Sequence, residues 1–133
     1  MSEEFKIRRG WLIGMYILTI IQAGGSGLGM ILIPDTLRSI FGWPGQDPII
    51  FGICGSVWLA FALLSILGLR SLLKFSPLLL LQLCYKVIWF IGVILPILIA
   101  GTFPSYAVAY VVFFAIYIIG DLIAIPFSYV FAK

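Results

Sequence analysis

The chain has 133 residues, 63% hydrophobic and 10% charged, with a net charge of +3. Soluble domains carry roughly a quarter charged residues, so these numbers exclude an ordinary water-facing globular surface. With no basic stripe and no soluble fold to present one, they also exclude nucleic acid as a partner.

A mean hydropathy of +1.23 reflects four long apolar runs. A helix needs about 20 apolar residues to cross the hydrocarbon. The runs predict spans over 11–33, 49–69, 77–100 and 104–131. The expected fold is all-α, a polytopic transmembrane four-helix bundle forming one domain over 1–133.

The first run follows the basic residues Lys6, Arg8 and Arg9. It is longer than a signal-peptide core and no small-residue cleavage site closes it, so it reads as a retained helix. It carries Gln22 and the stretch Gly24-Gly25-Ser26-Gly27-Leu28-Gly29. Either Gly25 and Gly29 form a small-residue packing pair, or the segment is unwound and offers backbone groups to a ligand. Packing is the preferred reading. A phosphate loop is excluded, because no strand precedes the glycines and no Lys-Ser/Thr follows.

The segment 34–41 (PDTLRSIF) is amphipathic and is expected to lie in the membrane interface with Leu37, Ile40 and Phe41 down. A turn-rich stretch follows and ends on Asp47-Pro48, an N-cap before a first-turn proline. The second run carries Cys54 and Trp58. The third opens on Pro77 and carries Gln82, Cys84, Lys86, Trp89 and Pro96. The fourth opens on Pro104 and carries Tyr117, Asp121 and Pro126. Pro96 and Pro126 should interrupt the backbone ladders. Trp11, Trp43, Tyr106 and Tyr129 fall near the ends of runs, where amphipathic rings sit at a bilayer interface.

Lys6, Arg8, Arg9, Arg70, Lys74 and Lys133 fall on one side of this topology and Arg38 on the other. The bias predicts that both termini are cytoplasmic, in a multi-pass protein of a cell membrane, a bacterial inner membrane above all.

Two charges stand inside the runs. Lys86 lies about nine residues into the third, roughly 14 Å deep, and Asp121 about as far from the end of the fourth. An isolated charge at mid-bilayer costs at least a few kcal/mol, so such residues pair or line a polar cavity. A short turn joins the two spans, so the ammonium and carboxylate are expected to meet. Gln82 is one turn before Lys86, Trp89 follows it at three residues, and Tyr117 is one turn before Asp121. The expected ligand-binding set is Lys86, Asp121, Gln82, Gln22 and Tyr117, with Trp58 and Trp89 as aromatic walls. The alternatives are an ion pair that only fixes helix register, and a lysine that snorkels to the membrane face.

There is no histidine, and Cys54 and Cys84 are not at metal-ligand spacing. No metal, haem or other cofactor is expected, and no catalytic residue. Ser26, Ser56 and Ser65 have no base partner in the sequence, so an enzyme is the lesser expectation.

The length, the four spans, the run Phe41-Gly42-Trp43-Pro44-Gly45-Gln46-Asp47-Pro48, the block Tyr85-Lys86-Val87-Ile88-Trp89 and the tail Asp121-Leu122-Ile123-Ala124-Ile125-Pro126 resemble small bacterial membrane proteins of the DoxX-like and BphX-like kind. The resemblance implies the four-span topology over nearly the whole chain and no particular activity. Small multidrug transporters carry an essential acid in the first helix, where this chain has Gln22. Sterol-isomerase-type proteins pair an acid with a base, a role in which Lys86 would have to complement Asp121.

The leading expectation is therefore a protein that binds a lipid-like or quinone-like small molecule or serves as an accessory subunit. A dimeric small-molecule or proton-coupled transporter comes next, then an intramembrane isomerase of the sterol-binding type. A purely structural subunit of a larger complex stands beside these. Expected partners are the lipid bilayer, an apolar small molecule, and a second copy or a larger membrane complex.

Overall fold

The structure is a computed structural model that describes residues 7–133; the expectation placed on Lys6 lies outside them. Among the described residues six helices follow in order: α1 (Arg9–Leu32), α2 (Pro34–Phe41), α3 (Pro48–Arg70), α4 (Ser76–Ala100), α5 (Ser105–Ala124) and α6 (Phe127–Val130). Helices α1, α3, α4 and α5 are long and apolar enough to cross a membrane. The chain divides into two compact units, one made of the residues up to Met15 with Ser76–Lys133, the other of Tyr16–Phe75.

In the Tyr16–Phe75 unit, the later part of α1 packs along α3. Glycines set the approach. A Cβ on Gly27 would stand 2.6 Å from the Gly55 carbonyl oxygen and 2.7 Å from the Leu59 nitrogen. On Gly24 it would stand 2.9 Å from the Ala62 Cβ. The glycine-rich segment is helical over Gly24–Leu32, so packing, rather than unwinding, accounts for it. The glycines that pack are not the expected pair, however. Gly25 faces open space and Gly29 meets the Leu37 side chain. A spacing of four identifies one helix stripe but not which stripe meets the neighbour.

Just before these glycines the helix widens into a π turn over Thr19–Ala23, where the Gly24 N–H bonds back to the Thr19 carbonyl. A second π turn, Phe90–Ile94, precedes Pro96 in α4. Pro96 has no N–H to give to the preceding turn, and a widened turn is one way a helix absorbs that loss.

Leu37 of α2 is buried with Met30 and Phe51, and Phe41, Trp43, Cys54 and Trp58 pack on that cluster. Ile40 is exposed on the protein surface. Gly42, at a φ of 71°, ends α2 in the left-handed conformation that favours glycine. As expected, Asp47 caps α3, its side chain accepting from the Ile50 N–H at 2.9 Å. Asp47→Ala should cost about 1 kcal/mol of stability, read by thermal unfolding, whereas a loss under a few tenths would show the cap to be idle.

In the other unit, α4 packs against α5. The start of the chain joins them: Arg8 Nη1 donates to the Ile123 carbonyl at 2.7 Å, and a side chain on Gly120 would overlap Met15 Sδ. Arg8 thus places a positive charge at the carbonyl end of α5.

The fourth span is shorter than expected. It ends at Ala124 rather than at residue 131, and Pro126 stops it rather than kinking it. The residue before a proline is pushed out of the helical region, and Ile125 sits at φ −65°, ψ 125°. The short α6 follows.

Candidate functional site

The buried face of α4 carries Ser76, Leu79, Gln82, Leu83 and Lys86. The buried face of α5 carries Tyr110, Phe114, Tyr117, Gly120 and Asp121. Both charges are therefore turned inward: Lys86 is 1% exposed and Asp121 is fully buried. Neither is exposed on the surface of the protein.

The expected direct ion pair is not formed. Lys86 Nζ donates instead to the Tyr85 hydroxyl at 2.8 Å. It lies over three ring faces, with centroids at 4.2 Å (Tyr85), 4.2 Å (Tyr117) and 4.8 Å (Phe114). A desolvated cation over an aromatic face gains about 2 kcal/mol or more, so three rings compete with a carboxylate for the ammonium. Asp121 remains within electrostatic reach of Lys86 without touching it. Among the described residues, no donor reaches either carboxylate oxygen of Asp121.

The helix end explains part of this. Asp121 is in the last turn of α5, its carbonyl accepting from the Ile125 N–H at 2.9 Å. By helical rise Lys86 is about 15 Å from the start of α4, whereas Asp121 is only about 5 Å from the end of α5. The two are not equally far from their helix ends, as the expected span to 131 had implied.

The aromatic wall is tiered. Trp89 packs edge-on against Phe114 with centroids 4.8 Å apart, and Tyr85 meets Phe114 at 6.0 Å. Trp89 thus holds a cage ring rather than touching the ammonium. Of the expected set, Gln82, Lys86, Trp89, Tyr117 and Asp121 fall in this unit. Gln22 and Trp58 belong to the other: Gln22 donates to Ser26 Oγ at 3.2 Å, one turn on, and Trp58 packs on the Met30–Phe51 cluster.

Phe114 and Tyr85 complete the cage and were not in the expected set. Phe114 was within reach of the sequence, since 114, 117 and 121 share one helical face. Tyr85 was not, because adjacent helical residues do not face each other. The flexible stem of Lys86 is what closes that gap.

Comparison with known families, with curated proteins and with solved structures finds no match to this chain.

Proposed function

We propose that this is a small integral membrane protein that binds a lipid-like or quinone-like molecule, with Asp121 and the caged Lys86 at the polar end of the site. One observation carries the reading: a fully buried carboxylate that no donor among the described residues reaches. Buried polar groups almost always have partners, and an orphan is a functional pointer. Gln82 and Tyr117 line the same buried faces, and Trp89 braces the cage. In this reading the four long helices are membrane spans with both termini cytoplasmic, in a bacterial inner membrane, by the distribution of Lys and Arg. Kinship with DoxX-like and BphX-like proteins is part of the same proposal.

Native mass spectrometry of protein purified in a mild detergent tests this. The expected result is one co-purifying apolar molecule per chain, lost in Asp121→Leu. A ligand-free spectrum, together with no uptake from added membrane lipid extract, overturns it.

Proton movement is the second reading. It is favoured by the buried line Ser76, Gln82, Lys86, which runs from the start of α4 inward. Proteoliposome flux separates the two: a proton leak abolished by Asp121→Asn supports movement, and an unchanged leak removes Asp121 from it.

A further inference from the structure

The Tyr16–Phe75 unit carries a groove of about 590 Å³, lined by the last turn of α1 (Met30, Ile31), the first residue of α2 (Pro34) and the first three turns of α3. Resting on the reading of α1 and α3 as membrane spans, and not on a ligand at Asp121, we propose that this groove holds one acyl chain of a glycerophospholipid with a zwitterionic head. Its volume is that of a small-molecule pocket. Its lining runs along α3 from Pro48 through Gly52 to Val57. By helical rise that is about 14 Å, close to half of the roughly 30 Å hydrocarbon core, which is the depth of one leaflet. Among the lining side chains only Ser56 carries a hydroxyl or a charge, so the occupant at this depth is apolar. Gly52 lines the groove without filling it: a Cβ there would meet nothing within 4 Å.

The residues beside the two lining prolines select the head. Asp35 follows Pro34 and Asp47 precedes Pro48. Arg38 is one turn from Pro34 on the same face of α2 and pairs with Asp35. That pair is at the surface, where ion pairs hold weakly, and a guanidinium has five N–H donors, so Arg38 can also take a phosphate oxygen. Asp47 gives one oxygen to the Ile50 N–H and has the other for an ammonium. One guanidinium and two carboxylates thus stand at this end of the groove, with one negative charge in excess. A head that carries both phosphate and ammonium complements all three, whereas a purely anionic head leaves the surplus carboxylate opposed.

The test adds dioleoyl phosphatidylethanolamine or dioleoyl phosphatidylglycerol to the full chain in mild detergent and counts retained lipid by native mass spectrometry. The ethanolamine lipid should saturate at one per chain and bind about fivefold more tightly than the glycerol lipid, the scale of one charge contact at a water-facing rim. Gly52→Leu fills the groove where the backbone leaves room, so the fold should hold by circular dichroism while affinity falls about tenfold or more, the equivalent of two displaced methylenes. Gly25→Leu, on an open face of α1 that does not line the groove, should keep the lipid, and so should Asp121→Leu. Should Gly52→Leu misfold, the wild type in vesicles decides: a phosphatidylethanolamine with a diazirine in mid-chain should label residues 52–57 above the rest of the long helices, and even labelling overturns the proposal. Undiminished retention by folded Gly52→Leu overturns the groove assignment, as does a lipid lost only in Asp121→Leu. Equal retention of the two lipids, lost in Gly52→Leu, overturns the choice of head. A chain washed from vesicles by alkaline carbonate overturns the span reading and this proposal together, whereas an embedded chain that retains neither lipid overturns the proposal alone.

Discussion

Gly27→Val should destabilise the protein by about 3 kcal/mol or more, the upper range for overpacking, while Gly25→Ala should be neutral or slightly stabilising. The two glycines are two residues apart in one helix, so propensity and lipid environment are nearly the same. What differs is the neighbour. A Cβ at Gly27 runs into backbone atoms of α3, at 2.6 and 2.7 Å, and backbone cannot swing aside. A Cβ at Gly25 meets nothing within 4 Å. Relieving the first clash requires α1 and α3 to separate, which also pulls apart Gly24 from Ala62 and Met30 from Gly55. Unfolding in SDS, followed by circular dichroism, reads both variants. Equal losses for the pair would show that α1 does not approach α3 along this stripe.

The second large effect concerns the charges. Lys86→Met should cost about 3 kcal/mol or more, because it takes an opposite charge away from a buried carboxylate that has no hydrogen-bond donor among the described residues, whereas Asp121→Leu should cost less, because Lys86 keeps its ring cage. The double variant should cost less than the sum, with a coupling of about 0.5–3 kcal/mol. The coupling should fall toward the lower part of that range, since the two groups interact through space and do not touch. Lys86→Met carries an additional loss, that of the cation over three rings. Phe114→Leu supplies the check: it keeps the volume nearly apolar and filled but removes one ring, so it should weaken Lys86 and leave Asp121 unaffected. Strict additivity of Lys86→Met and Asp121→Leu would mean that the two charges act independently.

Much of this architecture was legible in the chain. Four apolar runs fixed the four long helices to within a residue or two at most ends, since length and hydropathy are properties of the run itself. Asp47 and Pro48 marked the start of α3 because capping is local chemistry. The end of the fourth helix was not legible from hydropathy, which continues apolar through 127–131. Pro126 decided it through the conformation it imposes on Ile125. That Lys86 and Asp121 are buried followed from the cost of exposing charge to lipid. That they do not touch did not follow, because opposite sign argues for contact and only the placement of three rings around Nζ argues against it. The active glycine stripe was hidden for a similar reason: Gly25 and Gly29 have the right spacing, but rotation of α1 about its axis presents Gly24 and Gly27 to α3.

The most direct test is a structure in a lipid nanodisc, at a resolution that shows ordered solvent and ligands beside Asp121. The account predicts a non-protein hydrogen-bond donor within about 3 Å of a carboxylate oxygen, with the Lys86 ammonium still inside the Tyr85–Phe114–Tyr117 cage. Lys86 Nζ found in direct contact with Asp121, with no other density beside the carboxylate, would contradict it.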